Sequence, residues 1–468
     1  MIYRFLFVVL VAAAVTGCMG DESVQETTVP PRKPPPQPTT APSAGTVGLV
    51  RVRDGDTRRP VRAASVRVGD TTARADNRGV AHVEVEAPGH VLARFTAPGY
   101  IPRRVRVPIR DGDPQTVQLW RRNLQWPLYG ATHGRTQAHP AIKLRPPFRV
   151  VWSQTMRSLV EFPASIWQGV AYITSGRGKL FAISMQTGRV LWRTRIGTRA
   201  ASTPAVDAAR GQLVATTKEP GRVTIVAMKT GKIRWRHAIG RSEPSPVIAR
   251  GMAYFADEGG RVYALDLERR KIRWVFSGGA KITSSPALAG RRLFVGDYAG
   301  RVFALDTRSG RRRWTGSGGP HIYGTVAVAS GLVFVPSVSS GLSALSARTG
   351  ALRWRIPVGA YVYSSPAHYR GRVYFGSYAG IVYCAAARSG RILWRRSTGG
   401  SVSGALVVIA GVVYAGSFNY RITAWNWRTG RTLWRFPDGR YVPVSGNGGR
   451  LLMYGPRELS AVVPKRRR

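Results

Sequence analysis

Eight tryptophans stand in register along this chain: Trp152, Trp192, Trp235, Trp274, Trp314, Trp354, Trp394 and Trp434, with successive spacings of 40, 43, 39, 40, 40, 40 and 40 residues. No other feature limits the fold as much, because self-similarity at a fixed period makes each copy one supersecondary unit stacked on its neighbours. One copy runs Leu293-Phe294-Val295-Gly296-Asp297-Tyr298-Ala299-Gly300-Arg301-Val302-Phe303-Ala304-Leu305-Asp306, followed by Ser309-Gly310 and Trp314. It reads as four short strands, Ser285 to Ala289, Arg292 to Gly296, Arg301 to Asp306 and Arg311 to Thr315. The glycines of Thr187-Gly188, Thr230-Gly231, Thr349-Gly350 and Thr429-Gly430 can take the positive φ of a tight hairpin. The tryptophan that follows is placed to pack between neighbouring sheets as a large apolar anchor. In one copy Arg269-Arg270 replaces Thr-Gly, so that turn is expected to differ in shape.

The two ends of the repeat region complete each other. Phe148-Arg149-Val150-Val151-Trp152 is a fourth strand with no strands before it, whereas Leu451 to Gly455 and Leu459 to Val463 lack a following tryptophan strand. Joined, they make one further unit, which predicts an all-β, eight-bladed β-propeller whose termini lock the ring and leave no open edge.

This pattern, apolar-Tyr-Ala-Leu-Asp, then Thr-Gly, then Trp, resembles the pyrroloquinoline-quinone-like propeller repeat family over residues 123–468. The resemblance implies one of two branches. One comprises quinone-dependent alcohol and sugar dehydrogenases; the other comprises non-catalytic lipoproteins such as the propeller subunit of the outer-membrane barrel assembly machinery.

Ahead of the repeats the chain divides into three parts. Residues 1–17 read as a signal peptide: Arg4, then an apolar run from Phe5 to Val15 that is about half the length a spanning helix needs. Val15-Thr16-Gly17-Cys18 resembles the bacterial lipobox, which implies acylation of Cys18 and membrane attachment through its lipid. Residues 18–45, rich in Pro, Thr and Ser, cannot bury a core and read as an extended tether. Residues 46–122 alternate apolar and polar positions, as in Gly79-Val80-Ala81-His82-Val83-Glu84-Val85, and predict a small β-sandwich. Pro60-Val61, Asp76-Asn77-Arg78-Gly79 and Ala97-Pro98-Gly99-Tyr100 resemble carboxypeptidase-regulatory-like modules, which are usually spacers or adhesive units.

Charge poses a question of its own. The net charge is +48, and only nine of the 71 basic residues are lysine. Two readings stand: a polyanionic partner such as cell-wall polymer or anionic lipid, or arginines spread over a solvated exterior. Export disfavours nucleic acid. The basic end, Lys465-Arg466-Arg467-Arg468, could add to a polyanion contact.

The dehydrogenase branch of the family requires an adjacent cysteine pair, acidic and amide ligands for calcium, and an aspartate base. With Cys18 acylated, Cys384 has no partner, and it aligns with Ala264, Ala304 and Ala344 as a small buried filler. Asp257, Asp266, Asp297 and Asp306 fall at turn and strand-end positions of the repeat. The expectation is therefore a protein with no catalytic, metal or cofactor site, although quinone-dependent dehydrogenase activity stays as an alternative. Binding surfaces on propellers lie in the loops at the faces. Seven residues beyond each tryptophan stand Leu159, Arg199, Ser242, Lys281, His321, Tyr361, Ser401 and Tyr441, with Tyr323 and Tyr363 two positions further on. From these we expect a partner-binding face of Arg199, Lys281, His321, Tyr323, Tyr361, Tyr363 and Tyr441, presented to another envelope protein. The competing expectation is a charge-driven adhesive that holds polymer or lipid.

Overall fold

A computed structural model describes residues 46–86, 89–109, 114–437, 439, 444–456 and 458–465. The signal peptide, Cys18 and the tether therefore lie outside the described residues, as do Tyr441 and Arg466 to Arg468. Among the described residues no helix is long and apolar enough to cross a membrane.

Period-two burial builds the first domain. Thr46–Asp54 buries alternate residues and pairs with Val80–Val85 on one side and Gln115–Leu119 on the other. A second sheet runs Thr71–Arg74, Ser65–Val68, Gly89–Thr96, Arg103–Ile109. The two share a core that includes Val50, Val66, Val83, Phe95 and Leu119. The predicted turn is held by Asp76, whose carboxylate accepts from the backbone N–H groups of Arg78 and Val80 at 2.8 Å.

Seven sheets of four antiparallel strands in succession follow in chain order, each starting at its innermost strand: Ser165–Trp167, Ala205–Asp207, Val247–Ala249, Ala287–Ala289, Ala327–Ala329, Ala367–Tyr369 and Val407–Ile409, the last of which also pairs in parallel with Ala138–His139 to make a five-stranded sheet. An eighth is assembled from both ends of the repeat region, with Glu458–Pro464 pairing to Phe148–Thr155 (Ala461 opposite Trp152, Pro464 opposite Phe148). Innermost strands of successive sheets touch from Ser165–Trp167 to Val247–Ala249 and from Ala287–Ala289 to Val407–Ile409, and Ser165–Trp167 also touches Ser445–Gly446 of the closing sheet. The chain is an all-β propeller.

The tryptophans lie between blades. The indole N–H of Trp152, Trp192, Trp274, Trp314, Trp354 and Trp394 donates to a carbonyl of the next sheet, at Met185, Met228, Thr307, Ala347, Ala387 and Trp427 respectively. Each ring lies under the turn glycine of that next sheet. At Gly350 (φ +77°) an added Cβ would come within 2.6 Å of Trp314, so both the backbone and the packing demand glycine there. Trp235 is the exception. Its neighbouring turn carries Arg270 at φ +53°, strand pairing runs one step further, to Asp266 opposite Lys271, and Trp235 makes no such indole bond. At the closing sheet, where Phe148–Thr155 and Glu458–Pro464 pair with no turn joining them, Phe148 meets Trp434 edge-on with centroids 5.1 Å apart.

Arginines decorate the outer strands. Arg193, Arg234, Arg236, Arg273, Arg313, Arg353, Arg355, Arg395 and Arg435 flank the tryptophans on the outermost strands and are exposed. Charged side chains on such edges discourage edge-to-edge pairing with other chains.

One element has no counterpart in the repeat. Residues 126–139 run through the middle of the ring and bond to the innermost strand of each of the seven sheets. Trp126 exchanges backbone bonds with Ile166, and Val206 N–H donates to Pro127 O at 2.8 Å. Leu288, Val328, His368 and Val408 N–H groups donate to the carbonyls of His133, Gly134, Thr136 and Gln137. A ring nitrogen of His133 completes the set with Ile248 O at 2.8 Å. A Cβ on Gly134 would stand 2.4 Å from Val328 O, so this strand requires glycine to approach. Arg135 is fully buried, and its guanidinium donates to the carbonyls of Pro286, Tyr129, Ser245 and Pro246. This satisfies the charge with backbone dipoles alone, and burial lowers its pKa to about 9.

Candidate functional site

The loops leading into the innermost strands surround an axial cavity of about 510 Å3, with Tyr129 of the central segment in its wall. Repeat geometry sets the lining. The residue five positions before the point where each innermost strand meets the central segment reads Glu161, Ala201, Glu243, Thr283, Tyr323, Tyr363 and Ser403 around the ring. All but Ala201 line the cavity. A second set comes from the hairpins between the second and third strands, Lys218, Glu258, Tyr298, Val338, Tyr378 and Phe418, of which Lys218, Tyr378 and Phe418 line the cavity.

Backbone bonds tie the two rings of loops together. Lys218, Glu258, Tyr298, Val338, Tyr378 and Phe418 N–H groups donate to the carbonyls of Arg199, Arg241, Lys281, His321, Tyr361 and Ser401, all within 3.0 Å. The structure thus brings together Arg199, Lys281, His321, Tyr323, Tyr361 and Tyr363 on one face. Leu159 and Ser401 occupy the corresponding positions, with Leu159 O accepting from Gly176 N–H. Ser242 is a correction: it is fully buried and its hydroxyl donates to Ala256 O at 2.7 Å. The spacings of 43 and 39 shift the register there, and Arg241 holds the equivalent place.

The face has two chemically distinct halves. On one, charges interlock. Arg199 and Arg241 both reach Glu219, at 3.3 and 3.0 Å, while Lys218 bridges Glu243 at 2.9 Å and Glu258 at 3.1 Å. Lys281 lies 3.5 Å from Glu258 and over the Tyr298 ring at 5.1 Å. Burial works to lower the Lys218 pKa, but Glu243 and Glu258 outweigh it and raise the value. Burial likewise opposes ionisation of Glu258, yet Lys218 and Lys281 hold its pKa below the ordinary range.

The other half is aromatic. Tyr298 lies 5.9 Å from His321 and 6.3 Å from Tyr323. Tyr323 meets Tyr363 at 5.3 Å and 88°, and Tyr363 meets Tyr361 at 6.0 Å and Tyr378 at 5.4 Å. Tyr378 then meets Phe418 at 5.9 Å. The contacts of Tyr298 are tilted, whereas those from Tyr323 through Tyr363 and Tyr378 to Phe418 are edge-to-face and fix ring orientation. Tyr361, Tyr378, Phe418 and Tyr420 are 55%, 43%, 40% and 53% exposed. Sequence reasoning missed Tyr298, Tyr378 and Phe418, although they recur at a fixed step behind Gly296, Gly376 and Gly416.

No group of three or more His, Cys, Asp or Glu among the described residues is arranged to hold a metal ion. The repeat aspartates are engaged locally. Asp257 accepts from Arg261, Tyr263 OH and Gly240 N–H, while Asp297 accepts from Arg301. Cys384 is buried among Ala367, Tyr374, Trp394 and Val413, and burial raises its pKa to about 11.

Stacked repeats, a ring closed by pairing of the first and last strands of the repeat region and an axial cavity define a propeller of the pyrroloquinoline-quinone-like repeat class. A family model described as "Outer membrane protein assembly factor BamB" matches residues 149–219, 208–321 and 316–402, more than half of the chain. The protein belongs to that family. Among solved structures it resembles BamB from Moraxella catarrhalis, at 19% identity and a TM-score of 0.58, covering 69% of this chain and 99% of that one. It also resembles the quinohemoprotein alcohol dehydrogenase from Comamonas testosteroni (14% identity, TM-score 0.62, 73% of this chain, 81% of that). A europium-containing methanol dehydrogenase matches with 12% identity and a TM-score of 0.63, over 73% of this chain and 98% of that one. No curated protein matches the chain in sequence. At these identities the structural likenesses speak for the fold alone.

Proposed function

We propose that the protein is a non-catalytic, lipid-anchored scaffold of the bacterial cell envelope that binds another protein through the aromatic half of its cavity face. The observation that carries this is the arc of Tyr361, Tyr378, Phe418 and Tyr420. Exposed aromatics gathered on one face and oriented by edge-to-face contacts suit the centre of an interface. Membership of the BamB family supports a role in protein contact, and attachment through Cys18 rests on the lipobox. The sandwich and tether would hold the propeller away from the membrane.

A quinone cofactor does not fit the residues present. Pyrroloquinoline quinone is a polycarboxylate, whereas the cavity wall offers Glu161, Glu243 and a Lys218 ammonium already held by Glu243 and Glu258. Cys384 sits in a core between blades and cannot serve as half of a cysteine pair under a cofactor.

A second reading draws on the outer rim, where exposed arginines flank the blade tryptophans. There the propeller would adhere to cell-wall polymer or anionic lipid. The test is capture from intact cells with a photo-crosslinker at Tyr361, washed at low and then high salt. A discrete protein that survives high salt, and is lost when Tyr361, Tyr378 and Phe418 are changed together to alanine, is the expected result. Polymer or lipid released by salt, with capture unchanged in the triple variant, would replace the scaffold reading with the adhesive one.

A further inference from the structure

We infer that a second cavity, between the sandwich and the propeller, binds a small dianionic oxyanion of the phosphate type. Arg58 and Trp120 line it from the first domain, Gln186 and Arg450 from the propeller. Gln186 lies in the hairpin joining Lys179–Ser184 to Val190–Arg195, and Arg450 in the one ahead of Leu451–Tyr454. Successive hairpins of an antiparallel sheet leave at opposite ends, so both stand on the face away from the axial cavity. The first observation is that two guanidiniums share one neutral acceptor: Arg58 Nε and Arg450 Nη1 both donate to Gln186 Oε1, at 3.3 and 3.2 Å. Among the described residues neither makes an ion pair, and no Asp or Glu lines the cavity. Both arginines are half-buried, so water screens their repulsion only in part. Burial, and then Arg58, lowers the Arg450 pKa. The opposing influence is Asp56, whose carboxylate is taken up by Asn447 Nδ2 and the Gly448 N–H.

The second observation is a shortage of acceptors. Arg450 Nε and Trp120 Nε1 are buried donors with no acceptor on any described residue, and a buried donor left unpaired is costly. A neutral group could serve the indole, but it would add no negative charge between the two guanidiniums. A carboxylate would balance one cation and leave the other. A tetrahedral dianion balances both and offers each guanidinium its own oxygens, taking over from Gln186 as the shared acceptor. The volume of about 250 Å3 lies below the range of about 300–1,000 Å3 usual for organic ligands, which suits the anion itself or the phosphate end of a larger molecule left outside. Bound there, the anion would join Arg58 of the sandwich to Arg450 of the propeller, beside the contact that Asp56 already makes.

The test is calorimetric titration of the folded chain with inorganic phosphate at mildly alkaline pH, with ionic strength held constant by sodium chloride and acetate as the monoanionic counterpart. Phosphate should bind saturably at one site per chain and acetate much more weakly. Arg58→Asn and Arg450→Gln should each weaken phosphate binding at least about tenfold, the loss of a hydrogen bond to a charged group. Arg58 sits at φ +65°, a conformation that asparagine tolerates better than arginine, so that variant should fold as well as the parent. Arg94→Gln, an exposed arginine elsewhere on the sandwich, should leave phosphate binding unchanged. Glycerol 3-phosphate separates the sources: affinity equal to that of inorganic phosphate assigns a phosphate carried on a larger molecule, and weaker affinity assigns the free anion. No saturable binding, equal binding of acetate and phosphate, or binding unchanged in both folded variants would overturn the inference.

Discussion

The contact between each turn glycine and the tryptophan of the preceding blade can be isolated with a matched pair of substitutions in one sheet. Gly350 and Gly331 both have φ +77°, so an alanine at either position bears the same left-handed backbone strain, about 1–2 kcal/mol. They differ in surroundings. A Cβ at Gly331 meets nothing within 4 Å, whereas at Gly350 it comes within 2.6 Å of Trp314 Cε3 and 2.9 Å of Cδ2. The indole cannot simply turn aside, because its N–H donates to Ala347 O at 3.2 Å. Overpacking of this kind costs about 1–3 kcal/mol. Gly331→Ala should therefore destabilise by about 1–2 kcal/mol and Gly350→Ala by about 2–5 kcal/mol. Chemical unfolding followed by tryptophan fluorescence and by circular dichroism measures both. Equal losses for the two variants would refute the claim that the indole, and not backbone strain alone, demands glycine at that turn.

Other outcomes follow from the same geometry. Arg135→Leu strands four buried carbonyls, those of Pro286, Tyr129, Ser245 and Pro246, and should lower stability by at least about 3 kcal/mol in thermal or chemical unfolding. Asp56 ties the sandwich to the closing sheet by accepting from Asn447 Nδ2 at 2.9 Å and Gly448 N–H at 3.2 Å. Burial, and then Asp54, raises the Asp56 pKa to about 7. The folded chain thus holds a proton that the unfolded one releases near pH 4, so stability should fall as pH rises from about 4 to 7, by up to about 1.4 kcal/mol per unit. Asp56→Asn should remove that part of the slope in denaturant titrations run across this range. Alkylation of Cys384 should be negligible in the native protein and rapid after unfolding, as mass spectrometry would read, because its thiol is buried and its pKa raised to about 11.

The ring and its closure were legible because both rest on side-chain pattern. Each tryptophan marks an outer strand, and the unmatched strands at Phe148 and Leu459 announce their pairing. The central segment was not, because what holds residues 126–139 is polar bonding, by its backbone and by His133 and Arg135, to strands far away in sequence, which leaves no hydrophobic period. Its one visible sign is the run Gly130-Ala131-Thr132-His133-Gly134-Arg135, where Gly130, Ala131 and Arg135 take positive φ. For the binding face, the step from tryptophan to loop residue found Arg199, Lys281, His321 and Tyr361 but slipped at Ser242, where an irregular spacing moves the register by one. Tyr298, Tyr378 and Phe418 escaped notice because they belong to a different loop, brought alongside only by the hydrogen bonds between the two sets. The pairings of Lys218 with Glu243 and Glu258 cross from blade to blade and have no local signature.

The central segment also acts as a gauge. Its carbonyls and His133 are spaced so that each inner strand finds one partner, in the order in which the strands occur along the chain. A duplicated repeat would add an inner strand with no partner at the axis, and a deleted one would leave a carbonyl of the axis without its donor. Repeat proteins readily gain and lose copies, but here a stretch of fourteen residues (126–139), made before any blade, already provides one place each for seven inner strands, and the eighth sheet joins the ring without one.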